Sequence, residues 1–197
     1  MTLFSRPLPK PVLQWNGKKT VVITGANRGI GLAAVKILAE TDKWNVVIAC
    51  RSEEKAQAAR LSLGKSADNV EVLHLDLSDL DSVSAFARQW GSKRLDCLAL
   101  NAGIHTGKRL TPLLSAQGHE STVATNHLGH FKLMKLLLPN VERTAGRVVF
   151  VASSGECPSS THTRLSMHIL IIRRSLCFFS QCTTPHQDRL CLATWQD

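Results

Sequence analysis

The chain has 197 residues, 44% of them hydrophobic and 20% charged, which is the composition of a globular domain with a real core. Its net charge of +9 raises nucleic acid as a partner, but the basic residues are scattered, without a stripe or interleaved aromatics, so a solvated basic surface is the expectation and nucleic acid is not. No apolar segment of signal-peptide type opens the chain, and the late apolar run 168–172 is cut by Arg173 and Arg174, so neither a secretory signal nor a transmembrane segment is expected.

Residues 1–18 carry Pro7, Pro9 and Pro11 without a period and predict a flexible lead-in. Thr20–Thr24 (TVVIT) is a β-branched run ending at a glycine, which predicts a buried strand. Gly25-Ala26-Asn27-Arg28-Gly29-Ile30-Gly31 follows, and Leu32–Ala39 then has the period of a helix. Strands are predicted at Asn45–Cys50, Val70–Leu75, Leu95–Leu100 and Arg147–Ala152. Helices are predicted at Glu53–Leu63 and Leu80–Trp90, and a long one at His119–Leu138 stopped by Pro139. Cys50 and Cys97 fall inside strands, where a thiol serves as a small core residue. Buried strands alternating with amphipathic helices predict an α/β fold: a Rossmann-type, doubly wound parallel sheet with strand order 3-2-1-4-5.

After Gly155 the rhythm stops. Residues 156–197 show neither period and are rich in Cys, His, Ser, Thr and Arg, like a segment from another source, such as a retained intron or a shifted frame. The sheet is therefore expected to be incomplete on its C-terminal side, leaving Arg147–Ala152 as an apolar edge. Leu165–Leu170 and Leu176–Phe179 are the stretches available to cover it. Cys157, His162, His168, Cys177, Cys182, His186 and Cys191 lie in this tail, but no Cys-x-x-Cys pair occurs and no common zinc spacing is met, so no metal is expected. The cysteines form no disulfide pattern, and an intracellular, reducing setting is the default.

The glycine loop carries the first chemistry. Where a strand turns into a helix beside a pyrophosphate, side chains must be absent, and the helix N-terminus turns free N–H groups toward the phosphates. The loop follows a strand and opens a helix at the start of a βαβ series, which is the confirming context, although its spacing, Gly-x-x-x-Gly-x-Gly, differs from Gly-x-Gly-x-x-Gly. A nucleotide-binding domain is expected over residues 19–155. Arg51 stands at the tip of the second strand, where an acidic residue would accept from the 2′-hydroxyl of NAD. A guanidinium can instead hold a 2′-phosphate bidentately, and Arg28 can grip it from the loop, so NADP(H) is the expected cofactor. Arg51 read as a plain surface charge is the bland alternative.

Thr24-Gly25-Ala26-Asn27-Arg28-Gly29-Ile30-Gly31, Leu75-Asp76-Leu77, Asn101-Ala102-Gly103, Thr125-Asn126-His127-Leu128-Gly129-His130-Phe131 and Ser153 together resemble, in order, the motifs of the short-chain dehydrogenases/reductases. The resemblance implies that Gly25, Asn27, Arg28, Gly29, Ile30, Gly31, Arg51, Asp76, Leu77, Asn101, Ala102 and Gly103 bind the cofactor. It implies that Asp76 meets the adenine amino group, that Asn126 holds a water of the proton relay and that Ser153 bonds the reacting oxygen. On their own these could be a turn cap, a mid-helix polar residue and a strand-end cap.

Within that family, Thr41-Asp42-Lys43-Trp44-Asn45-Val46, Ala49-Cys50-Arg51 and His74-Leu75-Asp76-Leu77 are similar to the light-dependent protochlorophyllide oxidoreductases. The Asn-His-Leu-Gly-His-Phe stretch is shared with the retinol dehydrogenase-like reductases. The implied substrate is thus a tetrapyrrole or a retinoid or other carbonyl compound, with room for an oligomer, and the first resemblance implies a plastid. Leu100 and Gly103 depart from the protochlorophyllide pattern, which has Cys and often Ala there. A larger departure concerns the family's proton donor, a Tyr four residues before a Lys. This sequence has no Tyr, and no Lys after Lys135. General acid catalysis contributes roughly 10²–10⁴-fold, so a chain that binds its cofactor without turning over is expected, and a non-catalytic nucleotide-binding module is the alternative.

Overall fold

Val21 and Ile23 pack on one side of strand β1 (Lys19–Thr24) and Val22 on the other, and all three are buried. A strand apolar on both faces belongs in the middle of a sheet with a layer on each side. A computed structural model of the chain, which describes residues 17–105 and 111–152 in full and 153–154, 166–173 and 176–182 as backbone, places it there. The elements that follow are α1 (Gly29–Glu40), β2 (Trp44–Cys50), α2 (Glu53–Leu61), a 3-10 turn (Gly64–Asn69), β3 (Val70–His74), α3 (Leu80–Trp90), β4 (Cys97–Leu100), α4 (Ser121–Val123), α5 (Gly129–Arg143), β5 (Arg147–Ser154), β6 (Ser166–Arg173) and β7 (Leu176–Cys182). The sheet order is β3-β2-β1-β4-β5-β6-β7, and the first five strands are parallel. The order 3-2-1-4-5 read from the sequence is therefore the order of the parallel part.

Each face of the sheet carries its own core. Val21, Ile23, Val46 and Ile48 pack with Val35, Ala39 and Ala56 of α1 and α2. Val22, Val47, Leu98 and Leu100 pack with Phe86 and Trp90 of α3 and Leu133 and Leu137 of α5. Phe86 and Trp90, one helical turn apart, stack at 6.1 Å between ring centroids. Cys50 and Cys97 are free, buried thiols, and burial raises the pKa of both. At the N-terminal end of the sheet, the buried Asp96 carboxylate accepts from Thr20 N–H (2.8 Å) and from Arg94 Nε and Nη2. Asp96 also pairs through its backbone with Thr20 and Arg147, so one residue ties β1, β4 and β5 together.

One expectation is corrected. The long helix does not stop at Pro139: α4, a π turn at Ala124–Leu128 and α5 run without a break from Ser121 to Arg143. Proline removes one N–H, whose acceptor would have been the carbonyl of the exposed Lys135, where water can replace it. Beyond it the helix is held by tertiary bonds, because Asn140 Nδ2 donates to Gly91 O and Lys93 O, both at 2.9 Å. The edge of β5 is met by the two tail stretches named as available to cover it. β5 is not left bare: β6 pairs antiparallel with it from Ser154↔Ser166 to Val148↔Ile172, and β7 pairs antiparallel with β6. The segment has no period, yet its Ile169, Ile171, Ile172, Phe178 and Phe179 have strong strand propensity, and β5 presents a row of unpaired backbone groups to them.

Candidate nucleotide-binding site

In this sheet the chain reverses its winding between β1 and β4, and ligands of doubly wound sheets bind at such a switch point, beyond the carboxyl ends of the strands. A cleft of about 430 Å³ lies there. Its wall includes Gly25, Asn27, Arg28, Gly29 and Ile30 from the loop after β1; Ala49, Cys50, Arg51, Ser52 and Lys55 from β2 and α2; Leu75, Asp76 and Leu77 after β3; and Asn101, Ala102, Gly103 and Ile104 after β4. Of the twelve residues singled out as cofactor-binding, eleven line it.

The twelfth, Gly31, stands behind the wall. A Cβ there would lie 2.6 Å from Asn101 Nδ2 and 2.8 Å from Ala26 Cα, so its bareness lets α1 close against the loop after β4. Gly25 has φ +65°, and a Cβ on it would strike Ala102 Cα at 2.8 Å. Gly29, at φ +58°, is different: a Cβ would meet nothing within 4 Å, because that side is open cleft. Arg28 is the N-cap of α1 and gives no side-chain cap, so the first-turn N–H groups of Gly29, Ile30 and Gly31 have no intrahelical acceptor. An anion fits in front of these N–H groups, and at Gly29 it is the positive φ, not lack of space, that disfavours a side chain.

Three cations and one carboxylate line the cleft. Arg28 and Arg51 are exposed at its rim, as read from the sequence, and Lys55 joins them from the first turn of α2. Lys55 was missed. Its signal was present, since the first turn of a helix favours acidic side chains, and a Lys one turn past Arg51 stands against the dipole unless an anion lies nearby. The carboxylate is Asp76. Its Oδ1 accepts from the N–H and the hydroxyl of Ser78 (2.9 and 2.6 Å), so it makes the turn cap as well as facing the cleft.

The two residues linked to catalysis take other positions. Asn126, in the π turn, does not line the cleft; Thr125 does. The Asn126 side chain clasps the backbone of Ile104, accepting its N–H at 2.8 Å and donating to its carbonyl at 2.9 Å. Ser153 belongs to β5 by backbone register with Met167, and its side chain lies outside the described residues. Of the cysteines and histidines weighed for zinc, Cys157, His162, His186 and Cys191 lie outside the described residues, and His168, Cys177 and Cys182 are described by their backbone alone. Asn101 is fixed to β1, its N–H bonding Thr24 Oγ1 and its Nδ2 bonding Thr24 O, both at 2.9 Å. The Thr24 hydroxyl also accepts from Ala102 N–H (2.9 Å) and meets Nε2 of the buried His130 at 2.9 Å.

A glycine-lined helix N-terminus at the switch point of a doubly wound sheet defines a dinucleotide-binding α/β domain. A family model described as short chain dehydrogenase matches residues 19–163, and the chain belongs to that family. Protochlorophyllide reductase A of barley (Hordeum vulgare), a chloroplastic protein, is 46% identical over 148 residues, 70% of this chain and 38% of that protein. The chain thus spans about two fifths of the length of that relative. Among solved structures, an alcohol dehydrogenase of the archaeon Thermococcus sibiricus complexed with 5-hydroxy-NADP is 32% identical with a TM-score of 0.56, covering 66% of this chain and 55% of that one. A metagenomic short-chain oxidoreductase in complex with NADP is 27% identical with a TM-score of 0.60, covering 72% and 65%.

Proposed function

We propose that residues 19–155 form an NADP(H)-binding domain, flanked by the lead-in 1–18 and the tail 156–197, within an oxidoreductase resembling the protochlorophyllide reductases. The observation that carries the cofactor choice is the charge of the cleft: Arg28, Arg51 and Lys55 converge on it, and its single carboxylate, Asp76, lies after β3 and not at the β2 tip. In this reading the N-terminus of α1 holds the pyrophosphate, the three cations hold the 2′-phosphate, and Asp76 and Leu77 border the adenine. Asn101, Ala102 and Gly103 form the wall toward the nicotinamide end. Bound NADPH supplies the hydride. The protein must then supply a proton, and for this the 197 residues offer no Tyr and no Lys beyond Lys135. Asn126 and Ser153 remain as proposed relay and oxygen-binding residues without that donor. We therefore infer cofactor binding without efficient turnover.

The substrate class follows the relatives: a tetrapyrrole first, a retinoid or other carbonyl compound second, with a plastid location by the same likeness. Among the described residues no helix is long and apolar enough to cross a membrane. The missing Tyr also favours a second reading, a nucleotide-binding module without catalysis. Fluorescence titration with NADPH and NADH tests the binding, and NADPH consumption with illuminated protochlorophyllide or with retinal tests the chemistry. Saturable binding that favours NADPH, without consumption, is expected. No NADPH binding overturns the cofactor reading, and measurable turnover overturns the inactivity.

A further inference from the structure

The loop from Asn101 to Ile104 forms one wall of the cleft; one of its ends is fastened to the long helix directly, and the other to Thr24 at the end of β1, which in turn meets that helix. At Ile104 the fastener is the Asn126 side chain. At Asn101 and Ala102 it is the Thr24 hydroxyl, and behind that hydroxyl stands His130, one helical turn beyond Asn126.

The protons of this network can be placed from its acceptors. His130 Nδ1 lies 3.2 Å from the Asn126 carbonyl oxygen, which only accepts, so Nδ1 carries the ring proton. Nε2 of the neutral ring then presents a lone pair, and the Thr24 hydroxyl donates to it at 2.9 Å. That direction leaves both lone pairs of the hydroxyl oxygen for the N–H groups of Asn101 and Ala102, at 2.9 Å each. Without His130 the next acceptor for the hydroxyl proton is the Ala99 carbonyl at 3.5 Å, and turning toward it moves the lone pairs off the two amides. His130 is 5% exposed and does not line the cleft, so it acts on a ligand only through Thr24.

We propose that His130 is a positioning residue for the cofactor: through the Thr24 hydroxyl it fixes the backbone of Asn101 and Ala102, and so sets how tightly the cleft closes on a dinucleotide. This rests on the NADP(H) reading above. The test is NADPH and NADH titration of the full chain and of His130→Leu, His130→Gln, Thr24→Val and the Leu/Val double variant, with amide exchange across residues 97–105. Loss of one buried hydrogen bond corresponds to about a ten-fold change in affinity. His130→Leu is expected to raise the dissociation constants of NADPH and NADH by that same factor and to speed exchange at Asn101 and Ala102. His130→Gln, which keeps an acceptor, recovers most of the loss. The double variant is no weaker than Thr24→Val alone, because both substitutions cut one chain of bonds. Native affinity and native exchange in a folded His130→Leu overturn the proposal, as does strict additivity. Should His130→Leu not fold, Thr24→Val and His130→Gln carry the same comparison: unchanged affinity in Thr24→Val overturns it. A native chain that binds no NADPH overturns the cofactor reading and the proposal with it, whereas native binding with unaltered variants overturns the proposal alone.

Discussion

At the scale of single residues, the cleft separates charge readers from space makers. Arg51 reads charge. Arg51→Glu puts a carboxylate where a 2′-phosphate is proposed, and the affinity for NADPH is expected to fall at least ten-fold more than that for NADH in paired titrations; equal losses would refute the assignment. Gly31 makes space. Gly31→Ala drives a methyl to 2.6 Å from Asn101 Nδ2 and 2.8 Å from Ala26 Cα, and is expected to lower the melting temperature and abolish NADPH binding together. His130 contributes a pH dependence. Burial, the largest cause, takes its pKa down from 6.5 to about 4; the bond to the Asn126 carbonyl opposes this and His127 adds to it. Between those two values the unfolded chain takes up a proton that the folded chain refuses. The contribution of His130 to stability is therefore fully present above pH 6.5 and is lost as the pH falls toward 4, about 3 kcal/mol for this one group. Urea unfolding at pH 7 and pH 5 is expected to show this slope in the native chain and a shallower one in His130→Gln.

These residues also mark what the sequence could show. Gly25, Gly29, Arg28 and Arg51 were legible because a strand, a turn and a helix in immediate succession leave little freedom for where they point. Gly31 was legible as a glycine but not as a spacer, since the group it makes room for, Asn101, lies 70 positions away in the chain. Thr24 and His130 meet across 106 positions, and nothing local to either one announces the other. Lys55 needed the dipole argument and not the pattern.

At the scale of elements, the long helix over Ser121–Arg143 carries the most design. Its π turn lies beside the cleft wall, where such turns often serve a site. Gly129, directly after the turn, lets the helix touch the loop beyond β3: a Cβ there would fall 2.1 Å from Leu77 O and 3.0 Å from Leu77 Cα. Gly129→Ala must push the helix off that backbone, and a loss of about 3 kcal/mol in denaturant unfolding is expected. Pro139 is the reverse case. It is exposed, it removes a helix bond and it was read as a stop signal, so Pro139→Ala is expected to raise stability by about 1 kcal/mol. The sequence marked both residues but misjudged the proline, because the bonds that carry the helix past it come from Asn140 reaching back to Gly91 and Lys93.

At the scale of the whole molecule, five parallel strands were legible from buried runs at regular intervals, and the two antiparallel strands only as two apolar stretches without a strand period. A parallel strand in the sheet centre must be apolar throughout and so stands out; a strand added at the rim is selected by the open edge as much as by its own pattern. Removing residues 155–197 strips β6 and β7 from β5 and leaves its backbone groups open. The shortened chain is expected to self-associate at concentrations where the full chain does not, as read by light scattering. Equal dispersity would show that the hairpin is dispensable as a cover.

The place of β1 bears on how the molecule comes into being. Its neighbours are β2, adjacent in sequence, and β4, some 75 residues later, with the Asp96 carboxylate closing on Thr20 N–H. On the ribosome, β1 must wait for β4 to emerge before its second flank is covered, and at roughly 5–20 residues per second that wait lasts several seconds. During it the loop after β1 has one of its walls missing. Nascent chains halted short of Leu100 should be open to proteases and unable to retain a nucleotide, and those released past β5 should be neither. The cleft gains its last wall only when β4 joins the sheet, about halfway through synthesis of these 197 residues.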